Sequence, residues 1–554
     1  MIEIRPIQPP QKLDATLSVP GSKYIANRVL FIAALAEGIS IIKNVPDNDD
    51  INQVIEVLQK LGVKIEQKDQ SILTIHGTGG KFQPISTELQ VKESGTLLRF
   101  LTAFASLIPG KTTVTGSRRI QERPIKELLD SLQDLGIECQ AAENGFPPVK
   151  INGGTFTGGT TNISGEVSSQ YLSALLLIAP YAKKDVSIRV TSELVSKQYV
   201  GMTLTLMKKF GGKVDQEEDT FRIKSGQKYQ ACEYVIPGDW SSASYFLAAA
   251  AIMPGKITVT DLDPGTQQGE AAFANLLEKM GCKVLVEEDR VILEGTAQLK
   301  AIEVNMKDMP DVVQTLCVVA ACAEGTTKIT GIGHLKYKEC DRLEKTAQEL
   351  SKAGIKVTVT DDELHIVGNR ELNAAMIEPK AAVIETHNDH RMAMSMALLG
   401  LKKAGIKIQN PEVVKKSFPE YWKKLSELGA KIICTDNIEN IILIGYRGAG
   451  KTSVAEILAR KLSKKMVSTD AEIAKHIGEG YKGDISAFVQ ANGWKKFREI
   501  ECSIVNSLQM ENGIIDCGGG VVEEEKNIAE LKKRGKIVWL KANASAIKER
   551  IKDS

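Results

Sequence analysis

The chain has 554 residues, more than one ordinary domain holds, and by length alone amounts to roughly three or four. Apolar residues make up 43% and charged residues 25%, the balance of a soluble globular protein. Lys and Arg number 71 against 69 Asp and Glu, which leaves no electrostatic footprint for nucleic acid or an anionic membrane, so neither is expected as a partner. The nine cysteines are scattered without a C-x-x-C pair and favour free thiols in a reducing cytoplasm. The start, MIEIRPIQPP, has no apolar signal core. The most apolar stretches, 242–253 and 312–323, are too short to span a bilayer and read as buried helices.

One unit recurs six times at a spacing of roughly 70–80 residues. Polar residues lead into an apolar helix rich in Ala and Leu. A turn, usually with Gly, and a short β-branched strand follow. A second helix then closes on a Gly before another strand. The first helices start near Asn27, Leu98, Ser168, Ser241, Asp311 and Asp389. The second close as LQKLGVKI, LQDLGIEC, LMKKFGGKV, LEKMGCKV, LSKAGIKV and LSELGAKI, each with a Gly placed for a left-handed C-cap. Six such α/β units predict two halves of three units each. The first strand, about 1–19, is expected to pair with the second half. The chain would then cross between halves near Pro20 and near 237–238, giving one half from 1–20 plus 239–436 and the other from 21–238.

Each apolar helix opens on polar residues: Lys23 and Arg28; Ser94, Gly95, Thr96 and Arg99; Ser168, Ser169 and Gln170; Asp239, Ser241 and Ser242; Asp311; Asn388, Asp389 and Arg391. Ser, Asp and Asn also serve as N-caps. Lys and Arg do not fit that explanation, because cations oppose the positive helix end. Free N–H groups, helix dipoles and added cations together favour anions. Helix ends aimed at one cleft would bind two anionic ligands.

Residues 1 to about 436 carry a set of motifs in a fixed order: PGSK at 20–23 with Arg28, ESGTLLRF at 93–100, QERPI at 121–125 and SSQYLSALL at 168–176. GDWSSASYFLAAA at 238–250, KECDRL at 338–343, NDHRMAM at 388–394 and KSFPEYW at 416–422 complete it. In these motifs the chain resembles the 5-enolpyruvylshikimate-3-phosphate synthase family. The resemblance implies an enolpyruvyl transferase fold of six βαβαββ repeats in two halves that close on substrate. It also implies a reaction: the 5-hydroxyl of shikimate 3-phosphate attacks C2 of phosphoenolpyruvate, C3 is protonated, and phosphate leaves a tetrahedral intermediate. The expected transferase is monomeric and needs no metal or organic cofactor.

Carried over residue by residue, the resemblance places Ser168, Ser169, Gln170, Ser196 and Tyr199 around shikimate 3-phosphate, with Lys23 and Arg28 on the rim and Tyr24, Asp311 and Lys338 in reach. Gly95, Arg123, Gln170, Arg342, Arg391 and Lys416, again with Lys23, would hold phosphoenolpyruvate. Arginine grips carboxylate and phosphate with paired hydrogen bonds, and Gly95 lets backbone approach a small ligand. Asp311 is expected as the base and Glu339 as the acid, with Lys23 as a charged partner. Taken singly, Arg342 reads as a solvated charge, Asp311 after Pro310 as a cap, and His390 as a buried structural histidine. Their occurrence together favours a site. Two positions depart from the family: Tyr24 stands where serine is usual, and His334 where asparagine is usual. The alternatives are the sister transferase acting on a UDP-sugar, whose cysteine loop has no evident counterpart here, and a non-catalytic anion-binding protein on the same scaffold.

After residue 439 the pattern changes. NIILIGYRGAGKTSVAEILARKL is an apolar strand, a Gly-rich loop and a helix. Gly445, Gly448, Gly450, Lys451 and Thr452 fit a phosphate-binding loop, with Thr452 on Mg²⁺. STDAEI at 468–473, FREIE at 497–501 and DCGGG at 516–520 make the stretch 440–554 resemble shikimate kinase. That resemblance implies ATP and Mg²⁺ as cofactors and Asp470, Arg498, Gly518, Gly519 and Gly520 as shikimate contacts. Ser468 stands where an acidic residue is usual. In shikimate kinases an arginine-bearing lid and a last strand and helix follow the stretch matching VWLKANASAIKERI. The sequence ends at Ser554 just after it, so a partial P-loop domain is expected that binds nucleotide and phosphorylates poorly.

Overall fold

The computed structural model describes the chain apart from residues 6–12, 70, 143–144, 167, 369–381, 435–439, 463, 482, 511, 544–546, 549 and 551–554. It divides into two units, Ile2–Ile433 and Cys434–Ser554.

Six four-stranded sheets build the first unit, and they share one construction. In the sheet of Thr87–Gln90, Gly110–Thr115, Val149–Gly153 and Glu138–Ala141, the first pair is parallel and the next two are antiparallel. Four other sheets repeat this order in full, and the sheet that holds Ile2–Arg5 repeats its first two pairings. Two of them borrow strands from the chain start. Leu13–Ser18 runs parallel to Gly255–Thr260 in register from Leu13 opposite Gly255 to Ser18 opposite Thr260. Ile2–Arg5 pairs antiparallel with Ile406–Ile408 and lies between it and Lys431–Cys434. Conversely, Glu233–Val235 returns to pair with Ile39–Lys43.

Two buried cores result, one from residues 2–19 with 240–430 and one from residues 24–236. The two crossings lie side by side: Ser22 N donates to Pro237 O at 2.8 Å and Asp239 N to Pro20 O at 2.9 Å. Gly21 is needed there, because a Cβ would sit 2.1 Å from Asn44 O.

The apolar helices are the cores. Lys23–Leu35, Gly95–Ala105, Ser169–Ile178, Trp240–Ile252, Val313–Ala321 and His390–Ala397 appear where the sequence places them. Every residue of Trp240–Ile252 is buried, as a helix apolar on all sides requires. The fifth differs in its start. Pro310 fits the first position of a turn, and Asp311 lies in the 3-10 turn Pro310–Val312 that precedes the helix. The second helices lie outside, and Gly62, Gly136, Gly211, Gly281, Gly354 and Gly429 after them all have φ between 81° and 108°, the left-handed cap read from the sequence. Among the described residues no helix is long and apolar enough to cross a membrane.

The second unit holds a parallel sheet in the order Met466–Ser468, Ile514–Asp516, Asn440–Ile444, Gly535–Trp539. The Gly-rich loop joins Asn440–Ile444 to helix Lys451–Leu462.

Candidate active site

Two adjoining cavities open between the two cores of the first unit; the space in them, open solvent included, is about 690 Å³ and about 380 Å³. Tyr24, Arg28, Ser168, Ser169, Gln170, Ser196, Tyr199, Asp311 and Lys338 line the larger. Lys23, Gly95, Glu339, Arg342 and Arg391 line the smaller, and Tyr24, Arg123, Gln170, Asp311 and Lys338 line both. Lys23 belongs to the smaller cavity alone. Lys416 stands behind it, 3.3 Å from Asp50 and 3.8 Å from Glu339.

The larger cavity is walled by hydroxyls and amides together with Arg28, Arg99, Arg123 and Lys338. Ser168 caps its helix by accepting from Gln170 N at 3.3 Å, and Gln170 donates to Thr96 Oγ1 at 3.1 Å. Ser196 has φ 53°, an uncommon backbone state outside glycine, and donates to Lys307 O at 3.3 Å. Arg28 lies beneath the cavity and not on its rim. It is 1% exposed and donates to Thr203 Oγ1 at 2.7 Å, Tyr24 O at 2.9 Å and Tyr199 O at 3.0 Å. Burial lowers its pKa to about 10. His334 also lines this cavity. Burial and then Lys338 lower it to about 4, so the ring is neutral.

Guanidinium groups dominate the smaller cavity. Arg342 is a buried hub and not a solvated charge: its N–H groups reach Asp389 at 2.6 Å, Asp311 at 2.7 Å and Glu339 at 2.9 Å. With a further bond to Asp389 at 3.2 Å, four of its five N–H donors are used and one remains for a ligand. Arg391 donates to Tyr245 Oη at 3.0 Å, to Asp311 Oδ2 at 3.3 Å and to the Tyr24 hydroxyl. Arg123 is different. It is buried, its Nε has no partner, and no carboxylate among the described residues forms an ion pair with it. Burial first, then the charge of Arg99, lowers it to about 10. A buried cation with no carboxylate in ion-pair contact is costly and invites an anion.

Burial alone would raise both carboxyls. For Asp311 the charges of Arg391, Lys338 and Arg342 win, and for Glu339 those of Arg342, Lys416 and Arg123 win. Both are therefore held well below the usual range and are ionised here. His390 lines the smaller cavity with neither ring nitrogen hydrogen-bonded, and burial drives its pKa well down. It is a neutral buried ring.

Several site residues escaped the sequence reading. Asp50 pairs with both Lys23, at 2.9 Å, and Lys416. It sits in the acidic run PDNDD, whose bland reading is a solvated helix start. Asp389 is fully buried on Arg342, although it was visible as a helix-opening residue. Glu270 is fully buried, accepts from Tyr199 Oη at 2.7 Å and leaves Oε2 unpaired. Nothing in QQGE announces that.

In the second unit Gly445, Gly448 and Gly450 have φ of 149°, 79° and 89°, so the loop turns its backbone as a phosphate cradle does. Lys451 Nζ donates to Gly445 O at 2.8 Å and Tyr446 O at 3.2 Å. Thr452 donates to Asp516 Oδ2 at 2.7 Å, while Asp516 Oδ1 is buried without a partner. A hydroxyl beside an unsatisfied carboxylate oxygen is a donor set that suits Mg²⁺. The glycine triplet packs on the acceptor residues: a Cβ on Gly518 would lie 2.4 Å from Asp470 Oδ1, and one on Gly520 would lie 2.1 Å from Arg498 Nη2. A Cβ on Gly519 would lie 3.0 Å from Arg447 N. Arg498 is braced by Glu501 at 2.8 Å and Glu523 at 2.6 Å.

Comparison with known proteins places the two units in two families. A family model described as EPSP synthase (3-phosphoshikimate 1-carboxyvinyltransferase) matches residues 7–425, and one described as shikimate kinase matches residues 447–554. A 3-phosphoshikimate 1-carboxyvinyltransferase of Shewanella pealeana is 39% identical over 427 residues, which is 76% of this chain and 98% of that protein. One from a Sulfurovum species is 41% identical over 431 residues, 76% of this chain and 99% of the relative. A solved EPSP synthase of Acinetobacter baumannii superposes with a TM-score of 0.66 at 27% identity, covering 78% of this chain and 99% of that one. The chain therefore belongs to the EPSP synthase (3-phosphoshikimate 1-carboxyvinyltransferase) family and carries a shikimate kinase domain behind it.

Proposed function

We propose that the first unit transfers the enolpyruvyl group of phosphoenolpyruvate to the 5-hydroxyl of shikimate 3-phosphate and releases phosphate. One observation carries this: Asp311 lines both cavities, one that sets serine and tyrosine hydroxyls beside Arg28, Arg99 and Arg123 and one on which Arg123, Arg342 and Arg391 converge. A polyol phosphate fits the first and a small dianion the second, and one carboxylate reaches both. Asp311 takes the proton as the hydroxyl oxygen bonds to C2. Glu339 supplies the proton that converts the C3 methylene to methyl. Loss of a C3 proton and cleavage of the C2–O bond to phosphate then restore the enol ether.

Glu339 is ionised because the charges of Arg342, Lys416 and Arg123 face it. Phosphoenolpyruvate carboxylate and phosphate beside those cations offset their charge, which raises the Glu339 pKa and lets it load a proton. Lys23, paired to Asp50, completes the cationic wall.

The second unit is read as a nucleotide and shikimate site. Mg²⁺ would be held by Thr452 and Asp516, Lys451 would face the phosphates, and Asp470 and Arg498 would hold shikimate. ATP with Mg²⁺ supplies the phosphoryl group. We also place the enzyme in the reducing cytoplasm, where the eight described cysteines, all free, persist as thiols. It acts as a monomer, since one chain lines both cavities.

The test measures phosphate release from phosphoenolpyruvate with shikimate 3-phosphate, with a UDP-sugar, and with no acceptor. Release only with shikimate 3-phosphate is expected. Release with the UDP-sugar, or with none of them, sinks the reading.

A further inference from the structure

Tyr24 is the second residue of helix Lys23–Leu35. Its ring belongs to the 24–236 core, 8% exposed and 5.0 Å from the Tyr199 ring between centroids. Its hydroxyl reaches out of that core. It donates to Asp311 Oδ2 and accepts from Arg391 Nη2 and, at 3.4 Å, from Ser241 Oγ. All three partners lie on elements of the opposite half: the Pro310–Val312 turn and the starts of helices His390–Ala397 and Trp240–Ile252. We propose that the Tyr24 hydroxyl is a positioning group for the transfer reaction, holding Asp311 and Arg391 so that one defined carboxylate oxygen is left to receive the acceptor's proton. This rests on the enolpyruvyl-transfer reading above.

A count of hydrogen bonds supports it. A carboxylate offers about four lone-pair positions. On Oδ2, Tyr24 and Arg391, the latter at 3.3 Å, take two. On Oδ1, Arg342 Nη1 takes one at 2.7 Å, with Lys338 Nζ standing 3.7 Å away. The open position is therefore on Oδ1. The carboxylate cannot rotate without breaking bonds on both oxygens. A phenol suits the task because it donates to a carboxylate and accepts from a guanidinium at once. Lysine and arginine cannot accept, and phenylalanine can do neither.

The titratable and charged groups around Asp311 are Lys338, Arg342, Arg391, Tyr24, Tyr199, Glu270 and His334. Arg391, Lys338, Arg342 and the Tyr24 hydrogen bond hold the carboxyl down against burial. Losing the Tyr24 bond moves the base upward. Since Asp311 must be ionised to act, the acid limb of the pH–rate profile then moves to higher pH.

The experiment uses the full chain and follows phosphate release. Tyr24→Phe keeps the ring against Tyr199 and deletes the hydroxyl. Turnover should fall about ten- to hundredfold, with the acid limb displaced to higher pH. A fluorinated tyrosine incorporated at position 24, a stronger donor, should move that limb to lower pH while turnover stays within about tenfold. A Tyr24→Phe enzyme with wild-type turnover and profile overturns the proposal. So does one that is slower with an unmoved limb, the mark of a merely structural residue. If Tyr24→Phe does not fold, as read by its melting curve, the fluorinated chain decides, and an unmoved limb there overturns it. A wild type that releases no phosphate with shikimate 3-phosphate removes the transfer reading and the proposal together. An active wild type with unmoved limbs removes the proposal alone.

Discussion

Glu270 shows how one buried carboxyl can shape the pH behaviour of a whole unit. Burial, then the Asp311 charge, pushes it up to about 7. The unfolded chain loses this proton near the ordinary carboxyl value while the folded chain keeps it to about neutrality. The folded state thus binds more protons in the window between, and stability falls as pH rises through it. The shift corresponds to about 3 kcal/mol. Glu270→Gln should keep the Tyr199 hydrogen bond and carry no charge. Its unfolding free energy should match the wild type near pH 5 and exceed it by about 2–3 kcal/mol at pH 8. Denaturant titrations at the two pH values check this, and a constant difference would remove Glu270 as the titrating group.

At the scale of elements, the site is a set of helix beginnings. Lys23, Tyr24 and Arg28 ride on one, Gly95 and Arg99 on the next, and Arg391 on another. A cation there works against the helix dipole by about 0.3–1 kcal/mol, an arrangement that anionic ligands reverse. Gly95 shows how tightly such an end is built. A Cβ would stand 2.2 Å from Arg123 Nη1 and 2.5 Å from its Cζ. The helix itself tolerates alanine well, so Gly95→Ala should fold normally and push the Arg123 guanidinium aside. The KM for phosphoenolpyruvate should rise about tenfold or more, with a smaller change in turnover. Steady-state kinetics with an unchanged KM would show that Arg123 does not meet this ligand.

Across the whole molecule, polar bonds tie the two cores of the first unit together over the cleft. Arg119 donates to Lys338 O at 2.8 Å and to Lys336 O at 3.2 Å, and Lys416 donates to Glu93 O at 2.6 Å. Arg119 lines neither ligand cavity, so Arg119→Ala tests closure by itself. The KM values of both substrates should rise together, by about five- to thirtyfold for about 1–2 kcal/mol of lost contact. Small-angle scattering should show a larger radius without ligand, and a KM change for only one substrate would contradict a closing role. The two units offer a second experiment. Lys451→Ala removes the amine of the phosphate loop. It should weaken binding of a fluorescent ATP analogue at least about tenfold and leave phosphate release from phosphoenolpyruvate as it was. Equal nucleotide affinity in the variant would contradict the cradle reading of Gly445–Thr452.

The sequence by itself determined the repeat and the fold class, and its motifs named most of the residues discussed above that line the two cavities. The reason is local: an apolar helix, a glycine at its left-handed end and a β-branched strand are set by neighbours a few residues apart, and motifs such as SSQYLSALL and NDHRMAM keep their order along the chain. It also placed Asp311, Glu339 and the arginines in one site. Only the tertiary structure decided what those charges do to one another. Arg342, a solvated charge when taken singly and a site residue by its motif, is a buried hub for three carboxylates. Glu270 and Asp50 carried no motif, yet they meet Tyr199 and Lys23 across gaps of 71 and 27 residues. Tyr24 reaches Asp311 across 287 residues of sequence. Burial and partner distance set those ionisation states, and both arise only when distant segments pack.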